Sequence, residues 1–163
     1  MSMLMLSRPC SYAIRALTYL AAQPPGKLSG AKEISEHEDI PPSFLSKVLL
    51  QLRRGRLVRS YKGIGGGYEL GQPPDKVSLL AIVICMEGEA EFKRCILEDH
   101  DCAAQGECLL HGLWGRFRDE LQHFLERNTL ADLVRKNENE SCSGGRNSEA
   151  AQLSGPPEPL SQV

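Results

Sequence analysis

From Gly55 to Leu70 the chain reads GRLVRSYKGIGGGYEL, and this segment leaves few folds open. Leu57 to Tyr61 has the alternation of a short strand, and Tyr68 to Leu70 that of a returning one. Lys62 to Gly67 must turn the chain between them. A glycine run can also cradle a phosphate. This one lacks the Gly-Lys-Ser/Thr ending of a nucleotide loop, and no long helix starts directly after it. The hairpin is therefore expected to be a wing on a helical domain, its glycines allowing backbone to come close to another molecule.

The residues before the hairpin fit that expectation. Ser11 to Ala22 reads as a first helix, with Ala13, Ala16, Leu17, Leu20 and Ala21 on one face. Pro24-Pro25-Gly26 ends it. Ala31 to Glu36 is a short second helix, His37-Glu38-Asp39 a turn, and Ile40 a core plug. Pro41-Pro42-Ser43 opens a third helix that runs to about Arg54 and is closed by Gly55. Leu45, Val48, Leu49 and Leu52 form its apolar stripe. Ser43, Ser46, Lys47, Gln51 and Arg54 fall on the other face. Two short helices, a tight turn and a polar, basic outer face make a helix-turn-helix candidate.

Charge supports the same reading. The formal net charge is -2, but from Ile40 to Tyr68 there is no acid, against Lys47, Arg53, Arg54, Arg56, Arg59 and Lys62. Glu87 to Glu107 is strongly acidic. A basic block in an otherwise acidic chain is the footprint of a polyanion partner, although a solvated face is the bland alternative. In a nucleic-acid complex Ser43, Ser46 and Lys47 would face base edges. Arg54, Arg59 and Lys62 would meet phosphates, and Gly65 and Gly66 would let the wing approach the sugar-phosphate backbone.

Beyond the connector Pro73-Pro74-Asp75, Val77 to Met86 is apolar enough to be a buried helix, with Cys85 as a core thiol. Glu87-Gly88 ends it. A strong helical stripe follows later: Leu110, Leu113, Trp114, Phe117, Leu121, Phe124 and Leu125. A face this apolar on a small domain needs a cover. A second copy of the chain is expected to supply it through Leu113, Trp114, Phe117, Leu121 and Phe124, because a two-fold dimer matches palindromic DNA. Packing against the domain's own first helix is the alternative, and both can hold. Thr129 to Val134 reads as a last short turn of helix. From Asn137 the chain is almost devoid of apolar residues and is expected to be disordered.

Between the two apolar helices stands CILEDHDCAAQGECLLH, Cys95 to His111. Its cysteines and histidine fit neither a helical face nor a strand, so the segment reads as a loop. Three thiols and an imidazole so close together suggest a soft-metal or iron–sulfur site. No apolar run approaches a membrane span, and the first residues lack the pattern of a signal peptide. The expected location is the cytoplasm, where cysteines serve metal binding or redox sensing more than disulfides.

Tyr12-Ala13-Ile14-Arg15-Ala16-Leu17, Ile40 to Lys47, Leu57-Val58-Arg59-Ser60, Gly65-Gly66-Gly67-Tyr68 and Glu87-Gly88 together resemble the Rrf-type winged-helix regulators. That family includes an iron–sulfur cluster biogenesis regulator, a nitric-oxide-sensing repressor and a cysteine-metabolism repressor. The resemblance covers residues 4–136. It implies a fold that is mainly α with a small β wing: a winged helix-turn-helix followed by a long dimerisation helix. DNA binding would fall at 7–72, the cluster loop at 92–111, the dimerisation helix at 109–128 and a disordered tail at 137–163. It also implies an iron–sulfur cluster on Cys95, Cys102 and Cys108, thiols that the cysteine-metabolism branch lacks. His111, three residues after Cys108, matches the histidine that completes a [2Fe-2S] site in the biogenesis regulator. In the nitric oxide repressor an aspartate of the other subunit completes a [4Fe-4S] site; Ser11 stands at that position, with Cys10 beside it as a substitute. The six-residue gap between Cys95 and Cys102 departs by one from the usual five.

The implied function is a homodimeric repressor of palindromic promoter DNA that senses iron, redox state or nitric oxide. A zinc-stabilised DNA-binding protein is the alternative, since three cysteines and a histidine also suit tetrahedral zinc. An enzyme with Cys108 as nucleophile and His111 as base has no supporting carboxylate or cofactor loop.

Overall fold

The computed structural model describes residues 6–90 and 111–143. Helix α1 spans Arg8–Ala21, three residues earlier at its start than its apolar stripe suggests. The reason is local: the Ser7 hydroxyl accepts from the Cys10 N–H at 3.3 Å, and Pro9 sits in the first turn, where a missing N–H costs nothing. Ala13, Ala16 and Leu17 are fully buried.

Helix α2 spans Ala31–His37 and α3 spans Pro42–Arg54. Their turn is fixed by reciprocal bonds. The Ile40 N–H donates to Ser35 O at 3.0 Å, and the Ser35 hydroxyl donates to Ile40 O at 2.6 Å. Ile40 thereby enters the core, at 2% exposure. Asp39 takes the left-handed conformation the turn requires, at φ 48°, a region asparagine and aspartate tolerate better than most residues. Across α1 and α2, Glu33 accepts from Lys27 Nζ at 2.8 Å and from the Tyr19 hydroxyl at 2.7 Å. Lys27 foremost, then Tyr19, holds the Glu33 carboxyl down at about 2.

Strands β1, Val58–Tyr61, and β2, Gly67–Leu70, pair antiparallel with Ser60 opposite Tyr68. Sequence periodicity did not reveal a third partner. Ser29 makes an isolated antiparallel bridge to Tyr68, through paired bonds of 3.0 and 2.9 Å. Gly67 has no side chain because a Cβ there would stand 2.8 Å from Ser29 O. At the end of α3, Gly55 has an ordinary right-handed backbone (φ -75°), and Arg56 carries the left-handed one (φ 59°). Gly55 thus ends α3 without being the left-handed cap residue. Its lack of a Cβ serves packing against Cys85.

After a single 3-10 turn at Pro74–Lys76, α4 spans Leu79–Glu87, capped by Ser78 and closed at Gly88 (φ 91°). Helix α5 spans His111–Arg127 and α6 spans Leu130–Ser143. The start of α6 is tied to the start of α4: Leu79 N donates to Asn128 O at 2.8 Å and Leu130 N to Val77 O at 3.0 Å. Asp132 caps α6 by accepting from the Thr129 N–H and hydroxyl, both at 2.8 Å. This helix is longer than the expected short turn over 129–134. Once Leu130 is buried and the first turn capped, each further residue adds a bond at little cost, and the helix runs on to Ser143. The rest of the tail, 144–163, lies outside the described residues.

One core joins these parts. Leu17, Ile34, Leu49, Leu52, Ile82 and Leu130 are fully buried within it. Each such side chain contributes about 1.5–3 kcal/mol by leaving water. No helix among the described residues is long and apolar enough to cross a membrane.

Candidate nucleic-acid interface

Helix α3 turns Leu45, Val48, Leu49 and Leu52 inward, so its opposite face has to look outward. Ser43, Ser46, Lys47 and Arg54 are all exposed there. The Ser46 hydroxyl donates to Pro42 O at 2.8 Å, a bond within its own helix. Gln51 is not on this face. It is half-buried and reaches α4, while Leu50, 42% exposed, fills the middle of the outward stripe. Helical stepping from Ser43 through Lys47 to Arg54 passes through position 50, and that signal was available in the sequence.

The wing stands beside this face. Ile64 sits fully exposed at its tip between Gly63 (φ 102°) and Gly65 (φ 77°). A Cβ on Gly65 would meet nothing, so this glycine serves the backbone conformation of the turn. Gly66 is a glycine for an internal reason: a Cβ would collide with Tyr61 O across the hairpin, and the Gly66 N–H closes the turn on Gly63 O at 3.0 Å. Lys62 is exposed. Arg59 is exposed too, with Glu69 of the paired strand 4.0 Å away, a weak surface pair. Arg53 and Arg56 belong to the same basic surface. With Arg59, Ser60 and Tyr61 they line an open groove of about 670 Å³, and Arg53 Nη1 donates to the Ser60 hydroxyl at 3.4 Å. The acid-free run contained both arginines, yet only three dimensions place them beside the wing.

The stripe on α5 divides into two. Trp114 and Leu125 are buried, and Leu121 packs half-buried against the core. Leu113 (61%), Phe117 (48%) and Phe124 (53%) are exposed. At about 100° per residue the two sets lie roughly 80° apart around the helix. Trp114 stacks on Phe117 at 5.5 Å and joins them.

Of the expected metal ligands, Cys95, Cys102 and Cys108 lie outside the described residues. His111 is the first residue of α5. Cys10, the substitute ligand, is fully buried in the core of its own domain. Burial foremost, then the Glu87 carboxylate and Cys85, pushes its thiol up to about 12. The Cys10 thiol thus faces the core of its own domain. Ser11 is exposed. Cys85 is half-buried, not a fully enclosed core thiol, and burial raises its pKa as well.

A family of iron-dependent transcriptional regulators, Rrf2, matches residues 6–136. The chain belongs to the Rrf2 family. Among its relatives is the HTH-type transcriptional regulator IscR of Sodalis glossinidius, 32% identical over 127 residues, which are 78% of this chain and 76% of that protein. CymR of B. subtilis, a global cysteine regulator, superposes with a TM-score of 0.68 at 29% identity, over 82% of this chain and 98% of that one. IscR of T. potens superposes with a TM-score of 0.69 at 22% identity, over 93% and 95%, which bears on the fold alone. The protein is thus a winged-helix transcriptional regulator of the Rrf2 family, whose members named here are regulators and not enzymes. Overall shape does not separate the branches, since the CymR and IscR folds fit equally well.

Proposed function

We propose that this Rrf2 regulator is a cytoplasmic homodimer that binds palindromic promoter DNA, as a repressor, under control of an iron–sulfur cluster on Cys95, Cys102, Cys108 and His111. The observation that carries the reading is the position of His111. It opens α5, the helix whose outward face carries Leu113, Phe117 and Phe124. A ligand at the head of that helix joins the cysteine segment to the surface that would bring two copies together.

The donor set fits the group. Three thiolates and one imidazole suit [2Fe-2S], with [4Fe-4S] the alternative if His111 is not a ligand. When bound, such a cluster makes occupancy of the segment depend on iron and redox conditions. The chain's own residues do the rest. The exposed apolar triplet on α5 pairs two copies, and the pairing sets the distance between two α3 helices. Ser43, Ser46 and Lys47 face base edges. Arg54, Arg59 and Lys62 neutralise phosphates, and the wing backbone at Gly65 and Gly66 approaches the sugar-phosphate chain.

The test is a visible absorption spectrum of anaerobically purified protein, with iron, sulfide and zinc assays. Iron and sulfide in equal amounts with charge-transfer bands support the reading. Stoichiometric zinc with no visible bands replaces it by a zinc-stabilised regulator.

A further inference from the structure

The last turn of α4 should carry orphan carbonyls, as every helix end does. Two of them have an unusual partner. Gln51 Nε2, from α3, donates to Cys85 O at 2.8 Å and to Met86 O at 3.2 Å. The reverse contact is also present, with Cys85 Sγ donating to Gln51 O at 3.7 Å. Gly55, one turn further along α3, leaves the space that Cys85 Sγ occupies. On its other side the same turn is held to α1, where Ser7 N donates to Glu87 Oε1 at 3.2 Å and the Ser7 hydroxyl bonds the same oxygen. The chain leaves this turn at Gly88, whose φ of 91° allows a sharp exit, and the first expected ligand, Cys95, comes soon after.

We infer that Gln51 is a positioning residue that couples the metal state of the cysteine segment to the setting of α3, by capping the α4 carbonyls from which that segment departs. The inference rests on the proposed function. A side-chain amide on the base-reading helix caps the end of another helix. Any reorganisation after Gly88 that tilts the Cys85 and Met86 carbonyls must break these bonds or carry α3 with it. Ser46 and Lys47 stand four to five residues before Gln51 on the same rigid helix, so a shift at Gln51 moves them. The device acts within one subunit and adds to any change in dimer spacing. A conventional fold-stabilising contact would weaken DNA binding equally in both metal states. A coupling contact changes their ratio.

The test uses full-length protein and a duplex selected by the wild type from random sequences. Gln51→Glu keeps the shape but has no N–H to donate, and Gln51→Met keeps the volume without polar atoms. Operator Kd is measured for the metal-loaded and metal-free forms of each, alongside the visible spectrum. Amide exchange of residues 48–54 is followed in both forms. The expected wild-type ratio of affinities is about tenfold or more. Both variants should keep the wild-type spectrum while their ratio falls to within about twofold, and exchange in 48–54 should stop responding to metal. A tenfold ratio retained in both variants overturns the role of Gln51 and leaves the proposed function standing. A wild type that holds its cluster yet binds DNA equally in both forms overturns the switch, and this inference with it. If one variant fails to fold, the other decides.

Discussion

Gly55→Ala tests the packing of α3 on α4. The backbone there is ordinary (φ -75°, ψ 1°), so alanine meets no conformational strain. On backbone grounds alone it should stabilise by about 0.4–1 kcal/mol, because the unfolded chain loses freedom. Sterics oppose this. The new Cβ would stand 2.5 Å from Cys85 Sγ and 3.6 Å from Leu52 O. Cys85 can yield only by rotating away from Gln51 O, or the two helices must part. Overpacking of this kind costs about 1–3 kcal/mol. The net expectation is a loss of about 1–2 kcal/mol. Cys85→Ala removes the obstructing sulfur, so the double variant should recover most of the loss, with an interaction energy of at least about 1 kcal/mol in the cycle. Urea denaturation of the four proteins measures it. Gly55→Ala as stable as the parent, or two effects that simply add, would refute the packing argument.

Phe124→Glu and Leu121→Glu should part ways. Phe124 is 53% exposed, so its variant should stay folded and become monomeric in sedimentation; Leu121 packs against the core, so its variant should lose about 2 kcal/mol or more of stability. Lys62→Ala should weaken binding to all duplexes alike and lower the salt dependence by about one counterion, whereas replacing Ser46 or Lys47 should also change sequence preference. Cys10 should resist alkylation at pH 8 in the folded protein and react once denatured, read by peptide mass spectrometry. Its folded pKa of about 12 exceeds the ordinary thiol value of 9.0, so the unfolded chain ionises first. Its contribution to stability is therefore full below pH 9 and declines between pH 9 and about 12.

What the sequence made legible was local. The inward stripe Leu45, Val48, Leu49 and Leu52, the plug at Ile40 and the glycine hairpin all follow from spacing over a few residues, and all three are present in the fold. Contacts between distant residues were not legible. Helical period sets Gln51 at the flank of the outward stripe, but nothing in the sequence says that its amide caps another helix 34 residues away. The wide stripe on α5 read as one interface because its two faces abut, and only the packing assigns Leu125, with Leu121 against it, to the domain's own core. Asn, Glu and Ser beyond Lys136 looked like tail because intrinsic preference ignores a helix already nucleated at Leu130. The three thiols remain a matter of residue type and spacing, and of the four expected ligands only His111 falls in a described element.

The central claim is that a metal site on the cysteine segment sets DNA affinity. The most direct measurement compares operator binding by anaerobically purified protein with that of Cys108→Ala, both shown to be dimers, on duplexes selected by each. The account predicts that the variant lacks the iron–sulfur absorption and that its affinity differs by at least about tenfold, roughly 1.4 kcal/mol of coupling. Equal affinity on every duplex, with the cluster present in one protein and absent from the other, would contradict it.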